Sequence, residues 1–595
     1  MSGFVCLLDR SGGTVDPREL ERLVEPLSIY GPAAATLCRG PVGIAVRYRP
    51  GDGACPGPEP VLDPHTGTAA AIVGRLGLLA EPPGRPQDGS AALAAAREVE
   101  RRPSVLAGSV GSFAVVVANP ARGRVSIARD HLGSHKVYYR LDGHRLIAAS
   151  EPTAILRHPA VGDGLDEVAA ARFLGFRFGD DERSFFRDVR ELPPAHALRV
   201  GTGEERIEPY WRFREPGRDG ERSPRSATSE FLDLLARSVA HDAAGLEPEQ
   251  VALSLSGGLD STAVAAVAPP GVRAFSWTFE ETPEADERRR VEAVSRHLGV
   301  PVHWVRGDGL HPLCAGFARR FVHAGSPYVN PFAALKCRLY EEARAAGCER
   351  VLVGDGGDAL YAAREYWLRD AMTGGGPRAL ADLAGTLRRA AGGDRFARVA
   401  LRRLLPLGVR RRPLRRETPW LTSEARAALR GLAPSPTLPQ GAGDGRHELV
   451  AGSRHVEIVS EERRLFAACG VERADPFWSW PLLEMAVQLP ATWFQRGRRT
   501  KVLTREAFRG RLPESVLEGE PGGSLASLFL RGIALRREDL RERVFRRPRS
   551  DWQRWVRPEW LEPYLEATRT AAFGHTILWR VISYELWQRL LIRGS

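Results

Sequence analysis

Lysine is almost missing. Among the 85 basic residues of this 595-residue chain, only Lys136, Lys336 and Lys501 are lysine. Arginine cannot replace a compact, titratable ammonium, so each of the three is a candidate functional group. Cysteine is also sparse: seven residues, at 6, 38, 55, 314, 337, 348 and 469, odd in number and never spaced CxxC. That excludes a disulfide framework and a thiolate zinc site, and it points to reduced thiols in a cytoplasm. The fourteen histidines form no HExxH motif, so no histidine metal site is expected. No run of 18 apolar residues exists, which excludes a transmembrane helix. The opening MSGFVCLLDR lacks a basic leader and reads as a first strand, not a signal peptide.

What is present is the composition of a globular protein, 43% hydrophobic and 27% charged. The length calls for more than one core. The net charge of +12 would suit nucleic acid or an acidic partner. Because nearly all the basic residues are arginine, it is read first as a basic surface. No nucleic-acid or membrane partner is expected.

The chain is organised around VALSLSGGLDSTAVAAVA, residues 251–268. An apolar run predicts a buried parallel strand. It turns through Ser256, Gly257 and Gly258 into a helix whose first turn carries Asp260, Ser261 and Thr262. Backbone N–H groups at a glycine turn and a helix N-terminus favour an anion, and paired glycines let a polyphosphate approach. No Gly-Lys-Ser/Thr follows, so this is not a Walker loop. SGGLDS resembles the pyrophosphate loop of enzymes that split ATP into AMP and pyrophosphate. A second constellation, GDGGDALY (354–361), follows the apolar run CERVLVG. Ligands bind at such strand ends in open α/β sheets. Asp355 and Asp358 beside a glycine pair suit Mg²⁺ ligation and proton transfer.

Residues 1–210 read as mostly β, with short runs such as VGIAVRY and GSFAVVVAN between Gly/Pro/Asp turns. Residues 211–230 cluster Pro, Gly and charge and read as a linker. Residues 231–595 alternate strands and helices as a doubly wound α/β domain does. The arginine-rich 388–416 segment predicts an amphipathic basic helix, either a solvated face or a docking surface for an acidic partner. The stretch 434–448 reads as a loose Gly/Pro loop. The tail TILWRVISYELWQRLLI predicts an amphipathic helix packed as core.

Together these motifs resemble the asparagine synthetase superfamily. The carriers are SGGLDS, GDGGD, the RD-x-x-G…YY…ASE series of residues 129–151, and GVERADPF leading to GRRTKVLTREAF. The resemblance implies an N-terminal nucleophile-type, glutaminase-like sandwich joined to an adenine-nucleotide α-hydrolase-like synthetase domain, an α+β and an α/β unit. Three departures stand out. Ser2 replaces the nucleophilic cysteine. The Asn-Gly-Glu substrate motif is absent, its place taken by Val73-Gly74-Arg75-Leu76. Asp355 stands where asparagine synthetases have Glu and β-lactam synthetase has Tyr. The N-terminal domain is therefore expected to be a scaffold without glutaminase activity. Chain length, the PWL element (419–421) and the Trp-rich tail look most like the lasso peptide cyclases. In that branch an Asp or Glu side chain of a ribosomal precursor peptide is joined to the peptide's N-terminal amine.

The chemistry implied is adenylation of a carboxylate followed by attack of an amine. Ser256, Gly257, Gly258 and Ser261 would cradle pyrophosphate. Asp260 and Asp358 would hold Mg²⁺. Lys501 would neutralise charge, and Asp355 is the candidate base. By resemblance Leu255, Trp277 and Gly354 line the ATP pocket. The expected partners are the precursor peptide and a leader-peptide protease or leader-binding protein. Asparagine or β-lactam synthesis, and less so tRNA modification by adenylation, are the alternatives.

Overall fold

The computed structural model describes residues 1–51, 59–78, 97–177, 182–213, 223–314, 325–358, 377–393, 397–398, 401, 418–430, 453–489, 493–496, 499–519, 523–547, 550–567 and 572–592. The 434–448 stretch, most of 394–416, and Ala359 to Tyr361 lie outside the described residues.

The first unit is two six-stranded antiparallel sheets packed face to face. Ser2–Asp9 lies inside one sheet, between Arg145–Ala149 and Val42–Tyr48. Ala69–Gly74 and Phe113–Asn119 pair within the other. Side chains alternate along each strand. Phe4, Cys6 and Leu8 meet Ala69, Ala71, Val73, Ala114 and Val116 between the sheets. Val5 and Leu7 face the other way, into a cluster with Leu20 and Leu23 of helix Pro17–Val24. With both faces covered, the strand reads as a continuous apolar run. Helix Pro224–Ala243 begins within the segment that composition marks as linker.

The second unit holds a five-stranded parallel sheet. Its spatial order is Val302–Arg306, Arg273–Thr278, Val251–Ser254, Arg350–Leu352, Glu472–Ala474. Numbered by sequence the order is 3-2-1-4-5. The connections diverge between Val251–Ser254 and Arg350–Leu352, so a crevice opens beyond their carboxyl ends. The loops leaving these two strands are SGGLDS and GDGGD. Topology alone brings the two motifs together.

The C-terminal helices close over the first unit. Trp552, Trp555, Trp579 and Trp587 are fully buried. Helix Ala572–Ile592 differs from its sequence reading: Ile577 to Glu585 are all buried, so it is a central helix and not an amphipathic one. Arg580 lies 4.6 Å from the Phe173 ring and donates to the Phe173 carbonyl. The PWL element packs likewise. Trp420 donates from its indole to the Leu174 carbonyl at 3.2 Å, and Leu421 bridges to Val556. Among the described residues no helix is long and apolar enough to cross a membrane.

Candidate active site

The pyrophosphate-type loop is built by the strand before it. Leu255 donates its N–H to the Phe275 carbonyl at 3.0 Å, the last rung before the turn. The Leu255 side chain is buried in the core beside Val251 and Leu253. Gly257 then adopts φ +67°, a left-handed conformation that favours glycine. A Cβ there would stand 2.8 Å from Cβ of Arg290. Two serines close the loop: Ser256 Oγ lies 3.0 Å from Ser261 Oγ, and Ser256 N–H donates to Ser261 Oγ at 3.2 Å. Helix Leu259–Ala266 starts at once and carries Asp260 in its first turn.

The second loop is pressed onto that turn through two glycines. A Cβ on Gly354 would come within 2.5 Å of the Ser261 backbone N. A Cβ on Gly357 would lie 2.6 and 2.7 Å from the two Asp260 carboxylate oxygens. Gly354 thus serves close approach of the two loops. Neither position has room for a methyl group, and the atoms in the way are backbone or the Asp260 carboxylate. Gly357→Ala is expected to destabilise the protein by about 1–3 kcal/mol and to cost roughly 10²-fold in AMP formation by displacing Asp260. Thermal denaturation and AMP release measure the two effects; a variant with wild-type turnover would show that the loop yields.

Lys501 completes the first cluster. Its Nζ donates to Asp260 Oδ2 at 2.6 Å and lies 2.9 Å from Asp358 Oδ1. It caps helix Val502–Ala507 with φ +56°, a conformation unusual for a residue other than glycine. Burial lowers its pKa, but Asp260 and Asp358 outweigh that and raise it. Burial pushes the Asp260 carboxyl up to about 6, with Lys501 opposing and Asp358 adding to the rise. Asp260 Oδ1 is buried and has no hydrogen-bond partner among the described residues.

That orphaned oxygen is the test of fit for a divalent cation. Two carboxylates aimed into one crevice are hard oxygen donors of the kind Mg²⁺ takes, with nucleotide phosphates supplying further ligands. Among the described residues no set of three or more His, Cys, Asp and Glu could hold a metal alone. Asp260 and Asp358 therefore fit Mg²⁺ only as nucleotide-borne metal. When bound, the ion would neutralise phosphoryl charge.

Asp355 belongs to a second cluster that sequence reasoning did not resolve. Its Oδ2 accepts from Arg473 at 2.8 Å and from Lys336 at 3.3 Å. Lys336 also donates to Glu462 at 2.6 Å, and Arg473 to Glu462 and Asp475. Burial raises the Asp355 carboxyl, but Lys336 and Arg473 hold it well below the usual carboxylate range. Its side chain is still half exposed at the mouth of the crevice. The rarity of lysine flagged Lys336, and Arg473 lies in the GVERADP motif; Glu462 had no signal in the sequence. Trp277 sits near the carboxyl end of the neighbouring strand, its buried indole N–H without a partner.

Residues 91–211 match the model of the glutamine amidotransferase domain. Amidase chyE of Penicillium rubens is 26% identical over 289 residues, covering 44% of this chain and 41% of the relative. Amidase chry2 of Gibberella zeae is 25% identical over 284 residues, covering 44% and 41%. Asparagine synthetase [glutamine-hydrolyzing] 3 of Bacillus subtilis is 30% identical over 161 residues, covering 27% and 25%. The chain thus spans less than half the length of these curated relatives. Residues 230–589, more than half of the chain, match the asparagine synthase model, and the protein belongs to that family of ATP-dependent amide-bond-forming ligases.

Proposed function

We propose that the protein is a peptide macrocyclase. It adenylates an Asp or Glu side chain of a ribosomal precursor peptide and joins it to the peptide's N-terminal amine, releasing AMP and pyrophosphate. The observation that carries this reading is the meeting of SGGLDS, GDGGD and Lys501 in one crevice, joined to an N-terminal domain with serine at position 2. Ser2 is 5% exposed, and its Oγ is engaged by the Gly74 N–H at 3.1 Å. The cavity around it is roofed by Ser460, Arg463, Arg464 and Glu472 of the synthetase unit. Its free space is about 20 Å³, on the scale of a single water. No cysteine is among the described residues that line it. The amine must then come from outside, and an amine already on the substrate chain is the efficient source. Intramolecular attack lowers the barrier by roughly 7–11 kcal/mol relative to a bimolecular one.

A carboxylate does not react with an amine directly, because oxide would have to leave. Attack of the carboxylate on the α-phosphate of ATP makes an acyl-adenylate instead. Charge grows on the phosphoryl oxygens, where Lys501 stands. The amine then displaces AMP and loses a proton. Asp355, half exposed and held by Lys336 and Arg473, is placed to orient the incoming amine and to take the proton the nitrogen sheds as the amide forms. A leader-peptide protease or leader-binding protein would deliver the substrate in the cell.

The test mixes the protein with ATP, Mg²⁺, glutamine and a leaderless peptide bearing a free N-terminus and one internal Asp. The expected product is lighter by one water, AMP forms in step, and glutamine is left intact. The second reading, asparagine synthesis, is suggested by the Bacillus subtilis relative, a glutamine-hydrolyzing asparagine synthetase by name; with Ser2 in this chain the ammonia would be supplied from outside. AMP formed from aspartate and ammonia but from no peptide would establish it in place of the first.

A further inference from the structure

Arg75 belongs to the first unit, but its guanidinium leaves it. Nη1 donates to the Asp242 carbonyl and Nη2 to Asp242 Oδ1, both at 2.8 Å, and Nε lies 3.0 Å from Glu472 Oε1. Asp242 is in the last turn of helix Pro224–Ala243, and Glu472 opens the edge strand of the parallel sheet. Arg350, paired in register with Glu472 on the next strand, completes the group. It lies 2.9 Å from Glu472 Oε2 and donates to the Asp242 carbonyl at 2.7 Å. Two buried cations thus share the Glu472 carboxylate, Arg75 also holds the Asp242 carboxylate, and removing one member leaves a buried charge without its partner.

The next residue along that strand is Arg473. Successive side chains on a strand point to opposite faces. Glu472 faces the first unit, and Arg473 faces the crevice, where it donates to Asp355 at 2.8 Å. The strand therefore has an anchor on one face and a catalytic contact on the other. Helix Ser453–Ala468 repeats the pattern. Ser460 and Arg464 reach Gly133 and Glu151 of the first unit, while Glu462 holds Lys336 and Arg473.

We infer that Arg75 is a positioning residue for the ligase centre, fixing the Glu472–Ala474 strand so that Arg473 reaches Asp355. The first unit then contributes a strut to the centre instead of ammonia. The inference rests on Asp355 acting in the reaction proposed above. Loosening Arg473 weakens one of the two cations that keep Asp355 ionised. The groups facing Asp355 are then Lys336 and Arg473 in contact, Glu462, Asp475 and Tyr340 behind them, and Asp260 across the crevice.

Arg75→Gln and Glu472→Gln are compared with wild type in the full chain. Hydrogen exchange of peptides spanning 470–476 and 350–358 is expected to quicken roughly 10-fold in both, with 2–9 unchanged. With the leaderless Asp-containing peptide as probe, kcat for AMP should fall roughly 10- to 100-fold, and KM for ATP should stay within about twofold, as expected where only transition-state contacts are lost. The acid limb of kcat should move to higher pH, because Asp355 protonates more readily. Arg75→Lys should not rescue, since one ammonium cannot bridge both carboxylates. Unchanged exchange at 470–476 would overturn the inference. So would a fall in kcat with an unmoved acid limb, which would reduce Arg75 to a fold contact. If wild type forms no AMP from the probe, the macrocyclase reading fails, and the exchange experiment alone decides the strut.

Discussion

Lys501→Met is expected to lower AMP formation by roughly 10³-fold, the loss seen when a preorganised charge is removed from a transition state, with the fold retained. Lys501 is the cation held at 2.6 and 2.9 Å between the two loop carboxylates. In the proposed reaction it would meet phosphoryl charge as pyrophosphate leaves and again as AMP leaves, so both half-reactions would lose it. Lys501→Arg is expected to be nearly as damaging. The guanidinium is planar and wider than an ammonium, and the site is narrow: Lys501 is 12% exposed and fixed by a backbone with φ +56°. The measurement is single-turnover AMP formation, with circular dichroism to confirm folding. Substantial activity in Lys501→Met would remove the residue from the chemistry.

The parts of this site differed in how plainly the sequence showed them. SGGLDS and GDGGD were legible because each is a local rule: an apolar strand, a glycine turn and an acid at a helix start. Their meeting was legible once the α/β alternation was read, since a parallel sheet has one crevice where its connections diverge. Lys501 lies 241 residues from Asp260 and was visible through the scarcity of lysine and its motif. The Asp355 cluster was not legible. It depends on where helices Ala333–Ala345 and Ser453–Ala468 and the last strand come to rest, and no local pattern encodes that. The role of Arg75 was hidden for the same reason. In the sequence it marks only a missing substrate motif; its partners at 242 and 472 appear once the two units meet. Burial of Ile577 to Glu585 in helix Ala572–Ile592 was masked by Arg580 and Glu585, charged residues that pair with the Phe173 carbonyl and Arg589 and so imitate a polar face.

Asp260 and Asp358 were assigned the same role from sequence, yet the structure sets them in unlike surroundings, and their variants should differ accordingly. Asp260 is 12% exposed, with one oxygen on Lys501 and the other buried without a partner among the described residues. Asp358 is 74% exposed. A buried carboxylate with an unsatisfied oxygen gains most from a bound cation, because no water can take the cation's place. Asp260→Ala removes that oxygen and also leaves Lys501 in a crevice with half its counter-charge. AMP formation should fall by roughly 10³-fold or more, a magnitude in line with loss of a charged group from a preorganised site, and added Mg²⁺ should not restore it. Asp358→Ala leaves the buried donor in place, and solvent can fill the vacated position. Its loss should be nearer 10- to 100-fold, as for a supporting ligand, and should appear mainly as a weaker apparent affinity for Mg²⁺. Titrating Mg²⁺ against AMP formation at saturating ATP separates the two cases: the Asp358→Ala curve should shift to higher Mg²⁺ and approach wild type, while the Asp260→Ala curve should stay flat. Equal and unrecoverable losses in both would show that the exposed carboxylate is as deeply committed to the site as the buried one, and that the crevice closes over Asp358 when nucleotide is bound.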